Sequence, residues 1–183
     1  MLFRSEEHFI VVIVRELVTA LKSVHELGVI HRDLKCTNIY VSEEGRIQLG
    51  DFGVVGVFDE GTSKRTTVIG TPHYMALELH HSNEPGSEGY TVSVDIWALG
   101  CTIFEMATGL PPYARNPPEL IRSIMAHQPP RLEGEQYSPE LIDIVENCCQ
   151  IDSNNRPTAE ELLLHPLIAN TETTYPKIGR AHV

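Results

Sequence analysis

The sequence is short of basic residues and has no long apolar run. Lys and Arg number 14 against 25 Asp and Glu, which gives a formal net charge of -11. Surfaces that bind nucleic acids need an excess of positive charge, so this balance argues against a nucleic-acid partner. The longest apolar run, residues 9–14, is far below the roughly 18 residues of a membrane-spanning helix. We therefore expect no membrane partner.

Cysteine is also scarce, and its pattern argues against a disulfide framework. The four cysteines form no C-x-x-C pair, and two of them, Cys148 and Cys149, are adjacent. This pattern and the lack of a signal-peptide pattern predict reduced thiols and a cytoplasmic location. Hydrophobic residues make up 42% of the 183 positions, which is enough for one domain with a packed core.

Both ends of the chain carry an unusual signature. Residues 4–8 back-translate as AGA TCG GAA GAG CAC, and residues 178–183 as ATC GGA AGA GCA CAC GTC. The two share ATCGGAAGAGCAC in different frames, and this string resembles a common sequencing adapter; chance agreement among degenerate codons is the alternative. We predict non-native flanks at 1–8 and 178–183, a domain at 9–169 and a tail at 170–177. Genomic DNA that continues through both ends as written would contradict this.

Local patterns predict one small hairpin and a long loop. Short β-rich segments at 39–41 and 46–49 flank a turn at 42–45. Residues 51–81 show no clean period and are interpreted as one long loop, which in a compact domain is either functional or disordered.

Five segments carry helix signals, which makes the predicted fold mainly helical. Each has a start or stop residue that favours a helix end. Gly28 is the stop residue after a segment, 17–24, whose apolar residues recur at helical spacing. The start residues are Ser93, before the nearly all-apolar segment 94–107, and Asn116, Ser138 and Thr158. The segment 94–107 is apolar on all sides and should therefore be buried.

A series of motifs in a fixed order carries the functional signal. Residues 31–38 read His-Arg-Asp-Leu-Lys-Cys-Thr-Asn, which matches H-R-D-L-x-x-x-N, and residues 51–53 read Asp-Phe-Gly. The later motifs are Gly70-Thr71-Pro72, Ala76-Leu77-Glu78, Asp95-x-Trp97-x-x-Gly100 and Arg156. With these motifs the chain resembles the eukaryotic protein kinases over essentially all of 9–177. The resemblance implies the large C-terminal lobe of a kinase, mainly α with a small β-hairpin, without the small lobe.

The resemblance implies a phosphoryl transfer that uses ATP and Mg²⁺ as cofactors and serine or threonine residues of proteins as substrates. Such a reaction depends on positioning and on neutralising phosphate charge. Asp33 is the candidate base for the attacking hydroxyl, and Lys35 supplies a positive charge for the transferring phosphate. Asn38 and Asp51 offer the oxygen ligands that Mg²⁺ prefers. Thr71 resembles the residue that lines the substrate site and contacts Asp33 and Lys35.

Residues 51–78 resemble an activation segment. Within them, 64–72 is similar to the Ste20 group, in particular to its germinal-centre-kinase branch. The resemblance implies that Thr67 is phosphorylated, by an upstream kinase or by self-phosphorylation, with Thr66 as the neighbouring alternative. A phosphate there would pair with Arg32 and order the segment.

Other matches have structural roles in the family. Glu78 and Arg156 resemble a buried ion pair between the activation segment and a late helix. Asp95 would hold the backbone of the catalytic loop. His31 and Phe52 resemble members of a stacked apolar spine, which makes His31 neither base nor metal ligand.

The chain departs from the family in two respects. Leu77 replaces the proline of A-P-E, for which we expect modest loosening of the segment. The sequence also contains no G-x-G-x-x-G and no V-A-I-K motif, which belong to the small lobe. We therefore predict that this chain alone has no measurable kinase activity, while its parent protein does.

Two other functions are alternatives to a kinase. A non-catalytic kinase-like binding module would be expected to lose some of the residues Asp33, Lys35, Asn38 and Asp51, all of which are present. A small-molecule phosphotransferase is disfavoured by the Asp-x-Trp-x-x-Gly motif, the Gly-Thr-Pro motif and Arg156.

Overall fold

The computed structural model describes residues 6–52, 56–57, 71–81, 89–114, 126 and 128–170, and every structural statement below refers to these residues. They form α1 (Glu7–Glu26), β1 (Val29–Ile30), β2 (Ile39–Val41), β3 (Ile47–Leu49), β4 (Gly56–Val57), α2 (Leu77–His81), α3 (Ser93–Thr108), α4 (Pro139–Cys148), α5 (Ala159–Leu162) and α6 (Pro166–Ala169). The prediction of a mainly α fold with a small hairpin is confirmed.

Helix α3 is the centre of the core. It packs against α4 and α1, and Leu99 and Ile103 in its middle are completely buried. The helix ends at Gly109, whose φ of 82° is the left-handed conformation that glycine adopts without steric cost. Its burial and its stop residue agree with the prediction. Within the described residues, no helix has both the length and the apolarity needed to cross a membrane.

The predicted cap of α3 is wrong. Ser93 is the first residue of the helix, and the preceding Val92 makes no side-chain capping bond. The hydroxyl of Ser93 lies 2.8 Å from that of Thr91, so it is engaged outside the helix.

Two other predicted helix starts are confirmed. The Ser138 hydroxyl accepts a hydrogen bond from Leu141 N–H at 3.1 Å. Thr158 and Glu161 form a capping box: the Thr158 hydroxyl accepts from Glu161 N–H at 3.1 Å, and the Glu161 carboxylate accepts from Thr158 N–H at 2.7 Å. Ser138 also donates to the carboxylate of Glu7, which joins the beginning of α1 to that of α4. The predicted helix start at 116 lies outside the described residues.

The predicted hairpin is confirmed, with a later start of its second strand. β2 and β3 are antiparallel, with Ile39 opposite Leu49 and Val41 opposite Ile47. Ser42 N–H donates to the carbonyl of Arg46 at 2.9 Å and closes the turn.

The interpretation of 51–81 as a single loop is wrong for its described part. β4 pairs antiparallel with β1, a 3-10 turn spans Pro72–Tyr74, and α2 follows. Each of these elements has two to five residues, which is too short for a hydrophobic period to show. Their pairing and packing in the fold define them instead.

Candidate active site

The loop between β1 and β2 carries Asp33, whose side chain is 15% exposed. Its Oδ2 accepts from Lys35 Nζ at 2.6 Å and from Asn38 Nδ2 at 3.0 Å. Its Oδ1 accepts from the Thr71 hydroxyl at 2.8 Å, and Lys35 Nζ also donates to that hydroxyl at 2.8 Å. Four side chains that the sequence analysis singled out therefore form one network, although Thr71 comes from a distant segment.

The electrostatics of this network favour an ionised carboxylate. Burial would raise the pKa of Asp33, but the hydrogen bonds from Lys35, Thr71 and Asn38 and the charge of Lys35 outweigh it and hold that pKa below its ordinary value. In this network Oδ2 accepts two hydrogen bonds and Oδ1 only one. Because a carboxylate oxygen can accept two, Oδ1 can accept one further donor.

Asn38 lies at the end of a 3-10 turn and is buried. Its Nδ2 donates both to the backbone carbonyl of Asp33, at 2.8 Å, and to the Asp33 carboxylate. Because both acceptors are oxygens, the amide orientation is fixed by these bonds. The side-chain oxygen Oδ1 takes no part in them.

Asp51 follows β3 at the same end of the hairpin as Asn38. The preceding residue, Gly50, donates its N–H to the Asn38 carbonyl at 2.9 Å. The following residue, Phe52, places its ring edge-on to His31 with 4.7 Å between ring centroids. Asp51 itself is exposed and has a φ of 58°. Its two neighbours therefore fix the backbone of Asp51 beside the loop that carries Asp33 and Asn38.

His31 is completely buried, and the fold uses both of its ring nitrogens. Nε2 lies 3.0 Å from the Gly50 carbonyl and donates to it, and Nδ1 accepts from Asp33 N–H at 3.3 Å. These bonds require the proton on Nε2. They join the loop between β1 and β2 to the residue before Asp51.

Asp95, in the first turn of α3, is a buried anchor for the loop. Its carboxylate accepts from His31 N–H at 2.8 Å, from Arg32 N–H at 2.9 Å and from His25 Nε2 at 2.9 Å. Arg32 has a φ of 72°, a conformation that costs a non-glycine residue about 1–3 kcal/mol. The two backbone bonds to Asp95 hold this turn in place. Sequence analysis missed His25.

The guanidinium of Arg32 lies beside the Tyr90 ring, with 5.7 Å between Cζ and the ring centroid. Its Nε is buried and has no hydrogen-bond partner among the described residues. An unpaired buried donor is costly, and an anionic acceptor would remove that cost. Thr66 and Thr67, the predicted phosphorylation sites, lie outside the described residues.

Glu78 and Arg156 form a bidentate ion pair at 2.6 and 2.8 Å. The Arg156 side chain is fully buried, lies 4.9 Å from the Trp97 ring centroid, and donates through Nε to the Gln150 carbonyl. Leu77, which replaces the family's proline, is the first residue of α2 and is buried in the core.

Comparison with known proteins supports the motif analysis. The sequence profile of the protein kinase domain matches residues 3–168. The chain is 42% identical over 168 residues to serine/threonine-protein kinase dst2 of Dictyostelium discoideum, covering 91% of this chain and 14% of that protein. It is 40% identical over 176 residues to serine/threonine-protein kinase KIC1 of Saccharomyces cerevisiae, with 93% and 16% covered.

A third relative is serine/threonine-protein kinase sid1 of Schizosaccharomyces pombe, 38% identical over 172 residues, with 93% of this chain and 35% of that protein covered. The chain thus spans about a third or less of the length of these three relatives. The resemblance drawn from the motifs is confirmed.

Proposed function

This chain belongs to the protein kinase family, of the serine/threonine type, and we propose that its parent protein transfers the γ-phosphoryl group of ATP to serine and threonine hydroxyls of protein substrates. The observation that carries the proposal is the carboxylate of Asp33, which accepts hydrogen bonds from Lys35, Asn38 and Thr71 at one end of the hairpin.

In this proposal Asp33 is the base. Its Oδ1 has room for one further donor beside the Thr71 hydroxyl, and this is where we place the hydroxyl of the substrate. The carboxylate accepts the hydroxyl proton as the oxygen attacks the phosphorus. Lys35, held between Asp33 and Thr71, directs its positive charge to the transferring phosphate.

Protein kinases generally use ATP and Mg²⁺, and the donor set here fits that ion. The hydrogen bonds of Asn38 use its Nδ2 group and leave its amide oxygen available. Asp51 adds an exposed carboxylate, and the residue before it, Gly50, is hydrogen-bonded to the Asn38 carbonyl. Mg²⁺ prefers one or two such protein oxygens together with phosphate oxygens. Asn38 and Asp51 would hold the ion, which supplies neutralising charge for the phosphates.

The test uses the full-length parent protein and a peptide with one serine. We expect Asp33→Asn to lower kcat by about 10²- to 10⁴-fold, the usual contribution of a general base. Asp143→Asn is the matched control, because Asp143 is an exposed carboxylate that bonds to His165, away from the loop. An Asp33→Asn parent with unchanged kcat would refute the role of Asp33. An unsubstituted parent that phosphorylates no peptide would favour the non-catalytic binding module.

We further propose that phosphorylation of Thr67 activates the parent through Arg32. The support is the buried Nε of Arg32, which lacks an acceptor among the described residues. We expect Thr67→Ala to abolish the activation that follows incubation with ATP, and Thr66→Ala to leave it intact. The reverse result would assign the site to Thr66. Phosphate on Thr67 in an Asp33→Asn parent, detected by mass spectrometry, would require an upstream kinase instead of self-phosphorylation.

A further inference from the structure

A cavity of about 380 Å³ lies between the end of α1, the beginning of α3 and the segment at 153–160. This volume is within the range of small-molecule sites in proteins. We call it the His25 cavity, because His25 lies in its wall, and none of the proposed catalytic residues lines it. Its apolar lining is supplied by the side chains of Val92, Ile96, Pro157 and Ala159. An apolar ligand gains free energy when it leaves water for such a wall.

The positive charges at the His25 cavity are already paired within the fold. Arg156 donates five hydrogen bonds, as many as its N–H groups, to the Glu78 carboxylate and to three backbone carbonyls. Lys22 pairs with Glu26 and Glu160. An anionic ligand would have to break one of these pairs to gain a partner. The cavity therefore favours a neutral ligand.

The imidazole of His25 offers this cavity a hydrogen-bonding atom that the fold does not use. Its side chain is only 10% exposed, and its Nε2 lies 2.9 Å from Oδ2 of Asp95. Because a carboxylate only accepts, the proton of this bond is on Nε2, and Nδ1 of the neutral ring is an acceptor. Nδ1 has no hydrogen-bond partner among the described residues, and it is not fully enclosed by protein. A ligand that donates an N–H or O–H would pair it.

We propose that the His25 cavity binds a small neutral ligand with an apolar ring and one N–H or O–H group, and that this group donates to Nδ1 of His25. The ligand lies between two contacts of the fold, the bond of His25 to Asp95 and the ion pair of Glu78 with Arg156. Because it binds only the folded chain, it raises the free energy of unfolding. The inference does not depend on the proposed function.

The test titrates this chain with indole and with 1-methylindole and follows its backbone amides by NMR. The two ligands share one ring system, but only indole has an N–H to donate. We expect indole to shift the amides at the cavity, those of His25, Ile96 and Ala159 among them. It should bind about 2- to 12-fold more tightly than 1-methylindole, the usual contribution of one hydrogen bond.

Two pairs of variants locate the ligand. His25→Phe keeps a ring but removes Nδ1, so indole should lose its advantage over 1-methylindole. His165→Phe is the matched control and should keep that advantage, because His165 also bonds to an aspartate, Asp143, but does not line the cavity. Val92→Phe puts a larger side chain into the cavity wall and should weaken both ligands. Leu164→Phe, at an exposed position outside the lining, should weaken neither.

The outcomes separate the site from its chemistry. Equal affinities of the unsubstituted chain for the two ligands, or an advantage of indole that survives His25→Phe, would overturn the role of Nδ1. Tighter binding of benzoate than of indole would contradict a neutral ligand. If indole shifts no amide of the cavity up to its solubility limit, the site itself is refuted. If His25→Phe gives the amide spectrum of an unfolded chain, the two ligands and the Val92→Phe variant still decide the matter.

Discussion

At the scale of single residues, burial and hydrogen bonding shift the pKa of Asp33 in opposite directions. A largely buried carboxylate would be harder to ionise than one in water, but the hydrogen bonds from three donors and the positive charge of Lys35 reverse that tendency. The loop places Lys35 two residues and Asn38 five residues from Asp33. The charge state of the proposed base is therefore a property of the network and not of the aspartate alone.

The first prediction concerns the pKa of Asp33. Lys35→Met removes a donor and a positive charge while burial remains, so the pKa of Asp33 should rise towards or above its ordinary value. NMR titration of the Asp33 carboxyl carbon measures this. Lys22→Met is the control, because Lys22 pairs with Glu26 and Glu160 instead. An Asp33 pKa that moves equally in both variants would contradict the account.

The same shift has a consequence for stability. Because the pKa of Asp33 is lower in the folded than in the unfolded chain, its contribution to stability is present above the unfolded pKa. It is lost as the pH falls through the folded pKa. The stability gap between the unsubstituted chain and Lys35→Met, measured by urea unfolding, should therefore narrow in acid. A gap that widens as the pH falls would contradict this sign.

Most of the candidate site could be predicted from the sequence, because its residues lie in motifs with fixed spacing. The residues Asp33, Lys35, Asn38 and Thr71 meet within hydrogen-bond distance. His25 could not be predicted, since it bonds to Asp95 across 70 positions and a single histidine on a helix carries no signal of its partner.

At the scale of elements, α3 supports the site from beneath. In its first turn, Asp95 accepts hydrogen bonds from the loop between β1 and β2, and Trp97, two residues later, lies beside the guanidinium of Arg156. Because the helix is buried on nearly all sides, these side chains start from a backbone that has little freedom to shift. The geometry of an exposed loop is thus set by a helix in the core.

The second prediction tests that support. Asp95→Asn keeps the size of the side chain but replaces one acceptor oxygen by an NH₂ group, which faces N–H donors. Hydrogen bonds to charged groups contribute about 1.5–3 kcal/mol each, so we expect the free energy of unfolding to fall by about 2–4 kcal/mol. Urea unfolding of the purified chain measures it. Asp143→Asn, at an exposed pair, should cost less than about 1 kcal/mol. Equal losses in the two variants would show that Asp95 is not an anchor.

The elements that the sequence predicted well have strong local signals. The hairpin β2–β3 has its turn, α4 and α5 have capping residues, and α3 has a long apolar run and a glycine stop. Strands β1 and β4, with two residues each, exist because they pair with each other, and no local pattern reveals such a pair. Ser93 failed as a cap because Thr91 offers its hydroxyl another partner.

At the scale of the whole molecule, the ion pair of Glu78 with Arg156 joins the segment at 71–81 to the part of the chain after α4. The segment at 71–81 is therefore tied to the rest of the fold near its end by this pair and at its start by the bond of Thr71 to Asp33. Breaking such a pair strands a buried charge, at a cost of about 3–5 kcal/mol. The described site therefore depends on contacts between segments far apart in sequence.

The last prediction is that this chain alone does not transfer phosphate. Among the residues proposed here, only Lys35, Asn38 and Asp51 would hold the phosphates, and the sequence has no glycine-rich motif or V-A-I-K lysine to fix them further. Rate depends on holding the reacting atoms in line, so weak binding on these residues should not suffice. Incubation of residues 9–177 with labelled ATP and a generic basic protein should give no signal above that of the same segment carrying Asp33→Asn. Steady labelling that Asp33→Asn abolishes would show that this segment suffices for catalysis.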